Sequence, residues 1–167
     1  MSIKIQVKMT EKYMTDFMFY HNYTSASGIM ALLAGLLSVA VAIQGFINGN
    51  MQNGLVWTLC AILFLVVNPH TLKSRAKAQV QNSEMFKKPL EYEFTDVGIT
   101  VRQDEMEATT KWDEIAKAVS TNQSVILYLN RVRALIFPKE CMGEQYVEVL
   151  KMIHTHMPPK RVKIRGV

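Results

Sequence analysis

The spacing of charged residues divides the chain into a charge-free apolar block and a more polar remainder. No Asp, Glu, Lys or Arg occurs between Asn22 and Leu72. A helix rises about 1.5 Å per residue, so about 20 apolar residues cross a hydrocarbon core of about 30 Å. Residues 26–47 have this length, and residues 51–68 form a second, shorter stretch after a polar, uncharged turn. We therefore predict a two-span transmembrane helical hairpin over residues 26–68.

Two alternatives for this block are a cleaved signal peptide and the buried hairpin of a soluble protein. The segment Ala40-Val41-Ala42 has the small residues of a cleavage site, but the apolar stretch begins late and a second one follows it. A charge at the centre of a spanning helix costs about 2.5–3.5 kcal/mol, so the missing charges favour a bilayer over a soluble core.

Small residues recur at helical spacing along the first span. Such a face lets two helices approach closely in lipid. The face packs either on the second span of the same chain, which we favour, or on a second copy as a homodimer seam. Its residues are Ala31, Ala34, Gly35, Ser38 and Ala42.

The segments that flank the hairpin are typical of membrane interfaces. Residues 10–25 predict an interfacial amphipathic helix, because aromatic residues recur every three to four positions and Thr10 is placed to cap it. The alternative is a soluble helix packed on the later domain, and both can hold. After Pro69, residues 69–88 predict a basic juxtamembrane helix.

From Leu90 onward the pattern of apolar residues changes from helical to period two. Six short antiparallel strands are predicted up to Phe137, with Gly98 in a turn that suits positive φ, followed by one amphipathic helix from Gly143 to Met157. Residues 89–157 thus predict a small antiparallel sheet with a C-terminal helix, like the pleckstrin-homology architecture.

The pleckstrin-homology fold normally has seven strands, and the N-terminus supplies a candidate for the missing one. In residues 1–9 apolar and polar side chains alternate, which predicts a first strand of the same sheet rather than a disordered terminus. The expected fold class is α+β, with the membrane hairpin inserted between the first strand and the rest of the sheet domain.

The distribution of charge indicates orientation. The hairpin turn has no basic residue, whereas both flanks do, so the positive-inside rule places both termini in the cytoplasm of a multi-pass plasma-membrane protein. Residues 158–167 form a basic tail, whereas residues 89–157 have seven basic and eleven acidic residues. Attraction to an anionic inner leaflet explains this distribution better than nucleic acid does. The membrane-proximal basic residues are Lys73, Arg75, Lys77, Lys87 and Lys88.

Candidate chemistry is sparse in this sequence. His154 and His156 lie two apart on a predicted helix and so point to different sides, which makes a poor metal site. Cys141 lies near a helix N-terminus, where a thiol pKa can fall, but no base is fixed beside it. We expect no catalytic, cofactor-binding or metal-binding residues and no enzymatic activity. By analogy with eukaryotic relatives of the fold, a headgroup or a partner could contact Arg102, Arg131 and Arg133.

Several short motifs resemble the YcxB-like family of bacterial membrane proteins. The resemblance also extends over the two spans. It implies a two-span bacterial plasma-membrane protein with a cytoplasmic domain of the pleckstrin-homology type, and it implies no catalytic residues. The motifs are the stretches Phe94–Ile99, Trp112–Ile115, Leu127–Leu129, Ile136–Lys139 and Met85–Tyr92.

These features together predict a membrane-anchored, non-enzymatic interaction or regulatory module, in envelope stress or toxin immunity. Its expected partners are the lipid bilayer and an unidentified membrane or cytoplasmic protein. The alternative is a lipid-sensing or small-molecule-sensing domain coupled to the hairpin. A pocket with convergent polar groups would favour the sensing domain, whereas an open sheet edge would favour the interaction module.

Overall fold

Two long apolar helices and two four-stranded sheets make up the structure, a computed structural model that describes residues 2–164. The predicted α+β class is confirmed. The chain divides into two compact units. The sheet unit comprises Met1–Phe17 and Gln79–Val167, and the hairpin unit comprises Met18–Ala78. Arg165 of the predicted basic tail lies outside the described residues.

The hairpin unit contains the two apolar helices. Helix α1 (Glu11–Thr24) leads into α2 (Ala26–Ile47), and α3 (Met51–Ile62) follows a short turn. In that turn Gly49 has φ +72°, and the side chain of Asn50 caps α3 by accepting from Asn53 N at 3.1 Å. The two helices lie where the pattern of apolar residues predicts the two spans.

The sequence pattern predicted that the second span ends at residue 68, next to Pro69. In the structure the helix continues past this proline. A π-helical segment (Leu63–Val67) follows α3 and leads directly into α4 (Asn68–Asn82), so one helical stretch runs from residue 51 to residue 82. The N–H of Asn68 donates to the carbonyl of Leu63, five residues back. The wider π turn tolerates Pro69, which lacks an N–H and whose ring clashes with an ordinary α-helical turn. A short helix α5 (Glu84–Lys87) follows.

The first sheet is antiparallel throughout, in the order β1-β2-β3-β4. Its strands are β1 (Ile3–Val7), β2 (Leu90–Phe94), β3 (Gly98–Gln103) and β4 (Met106–Lys111). The predicted N-terminal strand is confirmed: Ile3 lies opposite Phe94, and Val7 lies opposite Leu90. The alternation seen in the sequence buries Ile3, Ile5 and Val7 and leaves the residues between them exposed.

The second sheet has the order β7-β6-β5-β8. Its strands are β5 (Lys117–Ser120), β6 (Ser124–Tyr128), β7 (Ala134–Pro138) and β8 (Val162–Lys163). The last of these lies in the segment that the sequence predicted as a basic tail, and it pairs with β5 in parallel. Val162 packs against the apolar core between two charged neighbours. A single well-placed apolar residue therefore ties part of that basic segment to the sheet.

Two local predictions were wrong. The final helix begins later than predicted, since α6 (Lys139–Met142) and a 3₁₀ turn precede α7 (Tyr146–His156), and Gly143 between them has φ +51°. Gly98 does not have positive φ; a Cβ there would lie 2.3 Å from the carbonyl oxygen of Thr110, so close strand approach requires the glycine. Positive φ occurs instead at Asp104, where it is 51°.

The core of the sheet unit lies where the two sheets and α7 meet. Phe137 of the second sheet contacts two aromatic residues of the first, with ring centroids 4.9 Å from Tyr92 and 5.0 Å from Phe94. Helix α7 buries Val149 and Ile153 against this cluster. Apolar side chains fill the interior of the sheet unit, so the surfaces available for function are its outer faces, turns and edges.

Candidate functional site

Most large apolar side chains of α2 and α3 point outward. Ile47 is 78% exposed and Leu59 is 68% exposed, although both are strongly apolar. The core helix of a soluble protein buries such residues. Here only 22% of the most apolar stretch of the first helix is buried, and only 6% of the most apolar stretch of the second helix is buried. The chain therefore has two helices that are long and apolar enough to cross a membrane, which indicates membrane association.

The small residues of α2 face the second helix of the same chain. A Cβ on Gly35 would lie 2.6 Å from Cδ2 of Leu65, and one on Gly45 would lie 2.8 Å from the backbone nitrogen of Gly54. Ser38 and Ala42 are also buried, and the hydroxyl of Ser38 donates to the carbonyl of Ala34 at 2.7 Å. The favoured interpretation, packing within the hairpin, matches this geometry. A homodimer seam along the same face stays a prediction.

The basic residues predicted to lie near the membrane belong to both units. Lys73, Arg75 and Lys77 lie on α4 in the hairpin unit, and all three are exposed. The other two belong to the sheet unit: Lys87 pairs with Glu84 at 2.5 Å, and Lys88 pairs with Asp104 at 2.7 Å. Exposed ion pairs of this kind contribute little to stability, because water and salt screen them.

Arg102 is already paired with acidic residues on the outer face of the first sheet. Its guanidinium donates to Glu93 at 2.6 Å and to Glu107 at 3.1 Å. The hydrogen bond from Arg102 is the main reason that the pKa of Glu93 is lowered, and Glu107 is the first reason that the pKa of Arg102 is raised. A shallow depression of about 250 Å³ lies beside these residues, lined also by Lys4 and Gln6. The acidic neighbours compensate the charge of Arg102 within the sheet.

The other two predicted contact residues lie in the turn between β6 and β7. The side-chain oxygen of Asn130 accepts from the backbone nitrogens of Val132 and Arg133, both at 2.8 Å, which fixes the turn. Arg131 and Arg133 are exposed, and Val132 between them is 88% exposed. The structure thus places these two arginines in a turn beside the second sheet and Arg102 on a strand of the first.

The first half of α1 is anchored to the sheet unit, which matches the alternative of a helix packed on the later domain. Tyr13 is buried, and its hydroxyl donates to Oε2 of Glu140 at 2.5 Å. Lys12 reaches the other oxygen of the same carboxylate at 2.7 Å. Further along the helix, Asp16 accepts from the hydroxyl of Thr121 at 2.6 Å. No local sequence pattern indicates these polar contacts, since they join residues more than 100 positions apart.

The Tyr13–Glu140 hydrogen bond shifts both groups. It is the first cause that raises the pKa of Tyr13 to about 12, followed by burial. In turn, the pKa of Glu140 is lowered by Lys12 first and by Tyr13 second. Both shifts favour the arrangement in which a neutral phenol donates to a carboxylate.

Within residues 2–164, strand β4 forms an edge of the first sheet and pairs only with β3, a feature that was not predicted from the sequence. It is the last strand of the first sheet, and five of its six residues are exposed. Met106, at the start of the strand, is 67% exposed. The strand is held to β3 by their shared ladder and by the hydroxyls of Thr100 and Thr109, which lie 2.9 Å apart. Its sequence, Met-Glu-Ala-Thr-Thr-Lys, has only small and polar residues after the methionine, and this composition is the signal that indicates an exposed strand.

The histidines and cysteines do not converge. His156 stacks on Trp112, with ring centroids 5.2 Å apart, and its Nε2 lies 3.4 Å from Asp96, whereas His154 is exposed. Cys141 is half-buried, and desolvation raises its pKa, the opposite of what a nucleophilic thiol requires. Within residues 2–164 no group of three or more His, Cys, Asp or Glu side chains could hold a metal ion.

Comparison with known proteins identifies one family. Residues 94–153 match the family model described as YcxB-like protein. This segment begins at the end of β2 and extends into α7, so it covers most of the sheet unit; the hairpin and the stretch Met85–Tyr92 lie outside it. No curated protein and no solved structure gives a significant match to the chain. The predicted resemblance is therefore confirmed over these residues, across which the chain is similar to the YcxB-like protein family.

Proposed function

We propose that this protein is a membrane-anchored, non-enzymatic interaction or regulatory module, with its sheet unit at the inner face of a bacterial plasma membrane. The apolar exterior of α2 and α3 carries the proposal, because so many exposed apolar side chains are stable only in lipid or under a partner. The sheet unit has a filled apolar core of its own. A membrane anchor joined to a separately packed sheet is the architecture of a module that presents its surface to other molecules.

The orientation is proposed from the charges on the hairpin. The turn from Asn48 to Asn50 is uncharged, whereas Lys8 and Lys12 precede the first span and three basic residues follow the second on α4. Basic residues beside spanning helices remain in the cytoplasm. This asymmetry supports cytoplasmic termini and a turn that faces outward.

The relation to pleckstrin-homology domains is part of the same proposal. Strands β1 to β4 form one sheet, strands β5 to β7 belong to a second, and α7 packs on the core after them. Seven strands followed by a C-terminal helix are what that architecture requires. The short strand β8 is an addition to it.

An interaction role is supported by the open edge at β4. An unpaired strand offers a row of backbone donors and acceptors that a strand from another chain can complete. A site-specific photo-crosslinking residue at Thr109, used in cells, should therefore give a protein adduct, whereas the same residue at exposed Lys151 on α7 serves as the matched control. Equal labelling from both positions, or none from Thr109, would contradict the interaction role.

The membrane topology can be tested by cysteine labelling of intact cells. In a chain with Cys60→Ala and Cys141→Ser, we expect Asn50→Cys to react with a membrane-impermeant maleimide before the cells are permeabilised. The matched variant Asn122→Cys, in an exposed turn of the sheet unit, should react only after permeabilisation. The reverse pattern would overturn the proposed orientation, and labelling of both in intact cells would overturn the hairpin.

A second candidate function is lipid-headgroup sensing, and one observation favours it. Val132 is almost fully exposed between Arg131 and Arg133, an arrangement that suits insertion of an apolar side chain between anionic headgroups. An environment-sensitive fluorophore on Val132→Cys would report this in lipid nanodiscs. Under this function its emission shifts to the blue when phosphatidylglycerol replaces phosphatidylcholine, and R131E/R133E removes the shift. Identical emission in both lipids would exclude this function.

A further inference from the structure

The backbone of β4 has a defined set of outward-facing groups. The turn between β3 and β4 has two residues, so the residues that flank it, Gln103 and Met106, form the first hydrogen-bonded pair of the ladder. Hydrogen-bonded and non-hydrogen-bonded pairs then alternate along the two strands. The N–H and C=O groups of Glu107, Thr109 and Lys111 therefore point away from β3.

We propose that a second copy of this chain pairs with β4 in antiparallel register, so that the two four-stranded sheets join into one of eight strands. In this register Thr109 lies opposite Thr109 of the second copy, on the two-fold axis. Glu107 then lies opposite Lys111 of the second copy, and Lys111 lies opposite its Glu107. The interface is self-complementary, as a two-fold symmetric contact must be.

Charge complementarity and backbone pairing together favour a second copy in this register. Opposite charges directly across an antiparallel pair are stabilising, whereas like charges are destabilising. In the proposed register both charged pairs are opposite in sign, and every outward backbone group of Glu107, Thr109 and Lys111 has a partner. Sliding the second copy by four residues brings either the two Glu107 side chains or the two Lys111 side chains face to face, which is unfavourable.

The side chains of these three residues lie on the outer face of the sheet, as their neighbours show. Arg102, opposite Glu107 in the ladder, pairs with Glu107 at 3.1 Å, and Thr100, opposite Thr109, meets its hydroxyl at 2.9 Å. Glu107 is therefore oriented by its own sheet before a second copy arrives. Met106, Ala108 and Thr110 lie on the other side of β4. In the proposed register, Ala108 of each copy lies opposite Thr110 of the other copy.

This inference deepens the proposed function, on which it rests, by naming a second copy as the partner. It also differs from the seam predicted along the small residues of α2, since Gly35 of that face is covered by the second helix of the same chain. If both copies are anchored in one membrane, their high local concentration favours pairing.

A charge-swap series on the full chain in detergent micelles tests the register. Native mass spectrometry and size-exclusion chromatography with light scattering should show a dimer for the wild type. Lys111→Glu places two acidic pairs across the interface while leaving the Arg102–Glu107 pair intact, and it should give a monomer. The variant R102Q/E107K/K111E restores opposite charges across the interface, with Arg102 also neutralised so that no lysine faces it, and should recover the dimer. Lys151→Glu, which makes the same change of charge on α7, should leave the dimer unchanged.

A second pair of variants tests the backbone. Thr109→Pro removes an N–H that β3 does not use and should give a folded monomer, since proline is tolerated on the open side of an edge strand. In a chain with Cys60→Ala and Cys141→Ser, Thr109→Cys should be crosslinked to itself by a short bis-maleimide, and Lys151→Cys should not. Circular dichroism verifies folding, and the charge-swap series decides the matter if Thr109→Pro does not fold.

Several results would overturn the inference. These are a monomeric wild type at all concentrations, a dimer that survives Lys111→Glu, and an R102Q/E107K/K111E variant that stays monomeric. A monomeric wild type that still captures a different protein from a photo-crosslinking residue at Thr109 overturns only the second copy as partner. Failure of the proposed function shows separately, as the absence of any adduct from Thr109 or as the wrong labelling pattern at Asn50.

Discussion

At the scale of single residues, the hydrogen bond from Tyr13 to Glu140 joins α1 to the segment that precedes the last helix. The phenol is buried, and both oxygens of the carboxylate are used, one by Tyr13 and the other by Lys12. Because the pKa of Tyr13 is raised from 10.0 to about 12, the stability it contributes is fully present below pH 10 and is lost as the pH rises through about 12. Because the pKa of Glu140 is lowered from 4.5, its contribution is present above that pH and is lost as the pH falls through the lowered value.

Tyr13→Phe should therefore lower stability at neutral pH, and the difference from the wild type should shrink at both extremes of pH. Thermal unfolding of the full chain in detergent, followed by circular dichroism between pH 3 and about pH 12, would measure this. Tyr146→Phe, on a half-buried tyrosine of α7, is the control for loss of a phenol. A difference between Tyr13→Phe and the wild type that does not vary with pH would show that the hydrogen bond to the carboxylate contributes nothing.

At the scale of elements, the first strand makes the hairpin an insertion within the sheet unit. Ile5 is 4% exposed in β1, whereas its neighbour Gln6 is exposed. Ile5→Ala should destabilise the sheet unit by about 2–5 kcal/mol, through lost burial and the cavity left behind. Gln6→Ala should change it by less than about 0.5 kcal/mol. Urea unfolding of the full chain in detergent, followed by tryptophan fluorescence, would compare the two. Equal effects would mean that β1 does not pack in this register.

The two apolar helices approach each other closely near their connecting turn. A Cβ at Gly45 would lie 2.8 Å from the backbone nitrogen of Gly54, an atom that cannot move aside without shifting α3. Gly45→Leu should therefore destabilise the hairpin by about 1–3 kcal/mol, the usual cost of overpacking. Ala40→Leu, which adds the same side chain at an exposed position of α2, should have little effect. Thermal unfolding in micelles, followed by circular dichroism, would separate the variants. A stable Gly45→Leu would indicate that the helices are not packed at this point.

Helices and strands could be predicted from local sequence patterns where the burial of one face of the element determines its structure. The alternation in residues 3–7 and the uncharged block after Asn22 were sufficient, because burial in a sheet or in lipid acts on each residue separately. The continuation of the helix through Pro69 could not be predicted in this way, since it depends on a π turn whose hydrogen bonds are not apparent from the pattern of side chains. The division into two sheets was also missed, because it depends on which distant strands pair.

The candidate site was less predictable than the fold. Arg102 was singled out as a basic residue, but its pairing with Glu93 and Glu107 follows from the register of three strands. The open edge at β4 likewise follows from the order of strands, which no local pattern encodes. Composition at Met106–Lys111 hints at exposure, but only the finished sheet distinguishes an edge strand from a turn.

At the scale of the whole molecule, the chain consists of two units whose stabilities should be separable. The side chain of Gln81 donates to that of Glu11 at 3.1 Å, so the two chain segments that enter and leave the sheet unit lie close together. A flexible linker of about ten glycine and serine residues, which spans about 16–19 Å, can therefore replace residues 18–78. The apolar exterior belongs to the replaced residues, whereas the core cluster of the sheet unit belongs to those that remain.

We expect the chain with this linker to be water-soluble and folded, with a far-ultraviolet circular dichroism spectrum of mixed helix and strand and a cooperative unfolding transition. The full chain should stay with the membrane fraction after carbonate extraction, and the linker chain should not. Ile5→Ala introduced into the linker chain should destabilise it as much as it destabilises the full chain, because the contacts of β1 lie within the sheet unit. An aggregated or unfolded linker chain would show that the hairpin is needed for the sheet to fold. A linker chain that remains with the membrane would instead place a second membrane contact on the sheet unit, as the turn at Arg131–Arg133 would provide.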